Sequence, residues 1–185
     1  MASADIADAE GYQDVSLYGG AIRAQLPKTF LDGSELRQVP DNQELWLDAA
    51  SDLSVIIEIL EYESKADEAD PLPFFLKDLV ESDEAALVET WATTAVTPAE
   101  GVPASSLCYQ GGGVQRASKF NETTTHEVHV HLGLIRLKDV ESDILIQYLD
   151  PIAATSGEGR GREVVSQILD TLTIKEMSLF SPSSE

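Results

Sequence analysis

Hydrophobic and polar positions alternate most cleanly over 128–138 (VHVHLGLIRLK). Val128, Val130, Leu132 and Leu134 fall on one face, and His129, His131, Gly133, Ile135 and Leu137 on the other. A strand apolar on both faces belongs inside a sheet that is covered on both sides. Ile144–Leu149 is its expected hairpin partner across 139–143. Gln43–Asp48 also alternates, Leu45 and Leu47 against Glu44, Trp46 and Asp48, and predicts a second strand. Residues 53–62 (LSVIIEILEY) show a helical stripe of Leu53, Ile56, Ile57 and Leu60. Their density of β-branched side chains favours a pleated surface, and we read them as a strand. Two short apolar runs, Val15–Gly20 and Ala21–Leu26, surround Gly19-Gly20, a pair that tolerates positive φ and predicts a turn or bulge. Asp32 or Ser34 is placed to cap one helical turn before Pro40.

The rest of the pattern is weaker. Residues 63–73 read as a charged, proline-bearing loop, 74–86 as a helical turn or two, and 97–106 as another loop. Strands are expected over 106–110 and 114–121, separated by Gly111-Gly112-Gly113. Residues 157–161 (GEGRG) read as a loop before a helix over Arg162–Leu172, whose apolar stripe is Val164, Val165, Ile168, Leu169 and Leu172. Six or seven strands and one long C-terminal helix predict a single α+β domain over 15–181, preceded by a flexible acidic arm at 1–14.

Composition narrows the function classes. A chain of 185 residues with 43% hydrophobic content suits one domain with a real core. Twelve bases against 33 acids give a net charge of −21. That charge argues against nucleic acid or an anionic membrane as partner and favours a basic protein surface. Cys108 is alone, so an internal disulfide is excluded and a reducing compartment fits. No apolar run approaches the ~20 residues of a membrane span. The first 14 residues hold four acids and no base, which predicts neither a secretory nor a mitochondrial presequence.

Several residues invite a chemical reading. His129 and His131 share a strand face at a spacing metals use, but a third ligand is needed and His126 falls on the other face. Cys108 has no evident group to lower its pKa. The 111–119 segment (GGGVQRASK) lacks P-loop spacing. Gly and Arg at 157–162 suggest an anion perch, or only a loop and cap. Residues 58–89 hold eleven acids against Lys65 and Lys77, a solvated face by default. The 39–44 segment (VPDNQE) is different in kind. A proline-stiffened corner sets Asp41 and Glu44 three residues apart at the mouth of a strand, with Trp46 on the face of Glu44. Two fixed carboxylates beside an aromatic suit the lysines and arginines of a partner. Chemistry alone leaves a second reading level with it, in which Asp41 caps a turn and Trp46 is core.

At this corner the sequence resembles a known family. Leu17-Tyr18-Gly19-Gly20-Ala21-Ile22, Pro27, Phe30-Leu31-Asp32, then Ser34, Leu36, Arg37 and Val39-Pro40-Asp41-Asn42-Gln43-Glu44 resemble the opening signature of the Ran guanine nucleotide release factor (Mog) family. Ser54–Glu61, Leu134–Leu137 and Ser178–Phe180 extend the resemblance, while 63–125 departs from it. The resemblance implies a twisted, mainly antiparallel sheet of about six strands flanked by helices, shared with photosystem II extrinsic subunits. It implies binding to the GTPase Ran, loaded or nucleotide-free, and release of its guanine nucleotide in support of nuclear import. It further implies action by binding rather than catalysis, no cofactor or metal, a monomer, and residence in nucleus and cytoplasm. Asp41 and Glu44 would contact Ran, with Arg37, Asn42 and Trp46 alongside. The rival readings are a trafficking adaptor on the same fold and, further off, a metal or hydrolytic enzyme using His129 and His131.

Overall fold

A computed structural model describes residues 11–118, 123–151 and 159–180. Residues 1–10 of the expected arm lie outside them, whereas Tyr12–Asp14 already belong to the first strand. Strands β1 (Tyr12–Leu17) and β2 (Ile22–Pro27) form a hairpin across a 3-10 turn, Tyr18–Gly20. Tyr18, Gly19 and Gly20 all have positive φ, at 51°, 67° and 95°, which is why glycines fill two of the three places. The expected turn is therefore present.

Strand β3 (Phe30–Asp32) leads into a 3-10 turn whose Ser34 N–H donates to the Asp32 carboxylate at 2.9 Å, the expected cap. Then come β4 (Gln43–Asp48), β5 (Ser54–Glu61), helix α1 (Leu72–Ser82), β6 (Ala86–Val96), β7 (Leu107–Ser118), β8 (Thr125–Leu137) and β9 (Ser142–Asp150). Helix α2 (Gly159–Thr171), β10 (Thr173–Ile174) and a 3-10 turn, Met177–Phe180, are the last elements of the described residues. Seven strands make one antiparallel sheet in the order β3-β4-β5-β9-β8-β7-β6, and β1-β2-β10 make a small second sheet. The α+β class holds, with one more strand in the main sheet than the six the family resemblance implied.

The main sheet is the middle layer. Beneath one face, Val164, Val165, Ile168 and Leu169 of α2 and Leu17, Ile22 and Leu26 of the small sheet bury Ile57, Ile135, Ile144 and Ile146. On the other face Leu72, Phe75, Leu76 and Val80 of α1 cover Val130, Leu132, Leu134 and Leu145. The two apolar faces of β8 thus have the two covers its sequence required. Burying a Leu or Ile side chain stabilises by roughly 1.5–3 kcal/mol, so both layers contribute substantially. Gly133 lets α2 approach closely, since a Cβ there would sit 2.9 Å from Val165 Cγ1.

Four readings need correction. Gly111-Gly112-Gly113 does not separate two strands but lies inside β7. The demand there is close approach: a Cβ at Gly112 would collide with the Val130 carbonyl oxygen, and one at Gly113 with that of Glu89. Strand β6, unassigned by pattern, pairs with β7 through two register shifts. Helix α1 runs 11 residues, because Leu72, Phe75, Leu76 and Val80 make a complete stripe and Pro73 falls in the first turn, where it is tolerated. Helix α2 starts at Gly159, so Gly159-Arg160-Gly161 are helical rather than loop.

Candidate functional site

The corner is a tight turn in which the Gln43 N–H donates to the Pro40 carbonyl at 2.9 Å, leaving Asp41 and Asn42 at its centre. Both are exposed, as is Arg37 just upstream. Asn42 is also a brace. Its Nδ2 donates to the Ile59 carbonyl at 3.1 Å and to Glu58 Oε1 at 3.3 Å, and its own carbonyl accepts the Ile59 N–H at 2.8 Å. Gln43 Nε2 donates to the same Glu58 oxygen at 3.0 Å.

Glu44 and Trp46 share a face, as their spacing required, but that face turns inward. Across the β4–β5 ladder Glu44 pairs with Ile57 and Trp46 with Val55, both fully buried in the core beneath the small sheet. Trp46 packs against that core half-buried, with its indole N–H shielded from solvent and without a partner. Glu44 Oε1 accepts the Tyr18 backbone N–H at 2.5 Å. Burial pushes the Glu44 carboxyl up, the Tyr18 N–H pulls it back, and the Asp32 charge raises it further. The Tyr18 hydroxyl donates to the Ile57 carbonyl at 2.9 Å and lies 3.0 Å from that of Asn42. Burial chiefly, then the charges of Glu44 and Glu58, drive its pKa far above the usual phenol range. The five residues singled out by sequence therefore divide. Asp41, Asn42 and Arg37 stand at the surface, and Glu44 and Trp46 stand behind it.

A model of the family described as the Ran-interacting Mog1 protein matches residues 15–151, corner included. The chain belongs to the Mog1 family. A Ran guanine nucleotide release factor of Danio rerio is 40% identical over 143 residues, covering 74% of this chain and 76% of the relative. The nuclear import protein mog1 of Schizosaccharomyces pombe is 32% identical over 149 residues, covering 77% and 78%. Among solved structures, the Ran-binding protein Mog1p of Saccharomyces cerevisiae superposes with a TM-score of 0.66 at 22% identity, covering 93% of this chain and all of that one. The cyanobacterial PsbP of Synechocystis gives 0.56 at 11% identity over 89% and 93%. These two show the fold, including the expected likeness to photosystem II extrinsic subunits.

Within this Mog1-family chain the other candidates resolve structurally. His129 and His131 both lean on Trp91, with ring centroids 5.4 and 4.8 Å away. His131 is buried, and burial first, then His129 and Arg162, lower its pKa to about 4 against an opposing pull from Asp150. No group of three or more His, Cys, Asp or Glu suited to a metal occurs among the described residues. The Cys108 thiol is buried and pushed up to about 11, the opposite of an activated nucleophile. Gly161, in the supposed anion perch, packs against the His131 ring instead.

Sequence reasoning passed over two leucines at the corner. Leu36 and Leu31, 76% and 58% exposed, are the most exposed large apolar side chains among the described residues, and they flank the 3-10 turn beside Arg37. The available signal was an apolar residue in a polar, proline-ended segment with no periodic partner. It also missed Tyr18, whose role depends on contacts 24 to 39 residues away.

Proposed function

We propose that this chain binds Ran and promotes release of its guanine nucleotide, supporting nuclear protein import, with residence in both nucleus and cytoplasm. The 40% identity to a Ran guanine nucleotide release factor carries this reading. The contact surface is the exposed turn of Asp41 and Asn42 with Arg37, edged by Leu31 and Leu36 and backed by Glu44 and Trp46. Asp41 grips a lysine or arginine of Ran that otherwise holds a phosphate. The −21 charge speeds encounter with a basic surface and keeps the chain monomeric by self-repulsion. The protein makes and breaks no bond. It acts by linkage, binding nucleotide-free Ran more tightly by the same factor by which it weakens nucleotide, roughly 5–150-fold for a coupling of 1–3 kcal/mol.

The test is a release assay with Ran loaded with fluorescent GDP or GTP and chased with unlabelled nucleotide. Wild-type protein accelerates release, less so as salt rises. Asp41→Lys, at an exposed position, abolishes both binding and acceleration while the domain stays folded. Release unchanged by wild-type protein overturns the reading in favour of an adaptor. Full affinity in Asp41→Lys shows the contact to lie elsewhere.

A further inference from the structure

Among the described residues, the hydrogen bonds between the glycine turn and the corner pass through one residue, by its backbone N–H and its hydroxyl. Tyr18 sits in the left-handed region at φ 51°, a conformation uncommon for a bulky residue. Its N–H is taken by Glu44 Oε1 at 2.5 Å, and its hydroxyl reaches the Ile57 and Asn42 carbonyls at 2.9 and 3.0 Å. One residue thus ties the β1–β2 turn to the start of β4, to β5, and to the residue next to Asp41. Glu44, meanwhile, is half-buried and already engaged. A free carboxylate aimed at a partner is solvated before binding, whereas this one is committed within its own fold.

We propose that Tyr18 is a positioning residue of the partner site, and that Glu44 serves the site through Tyr18 rather than by gripping a cation of the partner. The inference rests on the Ran-binding reading above and replaces the direct contact that the family resemblance implied for Glu44. The division of labour is chemical. Asp41 supplies charge at the surface, and Tyr18 reaches the residues that follow it, its hydroxyl at the Asn42 carbonyl and its N–H at Glu44 Oε1. Glu44 supplies an acceptor, and an acceptor need not be charged.

That last point gives the test. Glu44→Gln keeps a carbonyl oxygen for the Tyr18 N–H and removes the charge; Glu44→Ala removes both. In calorimetric titration with nucleotide-free Ran, Glu44→Gln is expected within about twofold of wild type. Glu44→Ala and Tyr18→Phe are each expected to bind at least about fivefold more weakly. Salt dependence separates positioning from contact: Asp41→Asn flattens the fall of affinity with ionic strength, whereas Tyr18→Phe lowers affinity and leaves the slope unchanged. Amide exchange at Tyr18 supplies a readout independent of Ran, protected in wild type and Glu44→Gln and opened in Glu44→Ala. Thermal melting identifies any variant that fails to fold, and the Glu44→Gln against Glu44→Ala comparison then decides. Glu44→Gln binding as weakly as Glu44→Ala, or a flattened slope in Tyr18→Phe, overturns the inference alone. No wild-type binding to Ran overturns it together with the reading on which it rests.

Discussion

Arg136 and Asp143 form an ion pair with 1% and 0% of their side chains exposed, joining β8 to β9. The guanidinium is matched twice, Nε to Oδ1 at 3.0 Å and Nη2 to Oδ2 at 3.4 Å. Nη2 also donates to the Glu63 carbonyl at 2.5 Å, the Glu63 N–H donates to Asp143 Oδ2 at 2.9 Å, and the Tyr62 ring lies 4.1 Å from the guanidinium carbon. The pair therefore staples the start of the acidic 62–70 segment to the hairpin. Asp143→Asn leaves a buried cation without its counter-charge, a change that costs about 3–5 kcal/mol. At about 2–4 °C per kcal/mol for a chain of this size, the melting midpoint falls by roughly 6–20 °C. Urea denaturation followed by tryptophan fluorescence reads the same loss as a lower midpoint at an unchanged m-value. The double replacement Arg136→Met with Asp143→Leu removes both charges together and is expected to recover most of that loss, because the penalty belongs to the stranded charge. Two results refute the reasoning: a loss below about 1 kcal/mol in Asp143→Asn, or a double variant as unstable as the single.

Leu169, 4% exposed under α2, packs over Gly133, and Leu169→Ala is expected to lose about 2–5 kcal/mol to the cavity it opens; an unchanged melting midpoint would show α2 to be loosely seated. His131 gives a pH signature. Its folded pKa, about 4, lies below the unfolded value near 6.5, so the unfolded chain binds the extra proton and stability falls as pH drops from 6.5 towards 4. The loss reaches about 3 kcal/mol when both states are protonated. Acidification also relieves repulsion among 33 acids, so the measurement is the difference in urea midpoint between wild type and His131→Phe across that range, and a constant difference refutes it.

Elements whose reason for existing lies within their own residues were legible in the sequence. Strand β4 was bounded at 43 and 48 by alternation alone, and β8 announced both of its covers through apolar residues on two faces. The misreadings share a cause. Gly111-Gly112-Gly113 looks like a turn, yet it lies within a strand: Gly112 combines a positive φ of 137° with the Val130 carbonyl standing against it, and Gly113 is small because the Glu89 carbonyl does the same. That information resides in β6 and β8, outside any local window. Strand β6 hid for the complementary reason: mostly exposed along its length, it needs no alternation of buried and solvated positions.

The corner divides along the same line. That Asp41 would stand exposed followed from a proline-led turn, a local fact. That Glu44 would not followed from Tyr18, 26 residues earlier, whose N–H needs an acceptor because a left-handed turn directs it away from the β1–β2 ladder. Two carboxylates three residues apart look equivalent on paper, but the fold gives each a different environment, Asp41 exposed and Glu44 half-buried on the Tyr18 N–H. A surface that must discriminate between states of a partner gains from being rigid before encounter, since each side chain ordered on binding costs about 0.5–1.5 kcal/mol. Tyr18, Asn42 and Gln43 fix the backbone of the turn during folding through contacts of 3.0 to 3.3 Å, so that binding has only the Asp41 side chain left to order. Asn42 and Gln43 both donate to the Glu58 carboxylate, so one of the eleven acids of 58–89 braces this corner, a contact that an acid count along the sequence does not reveal.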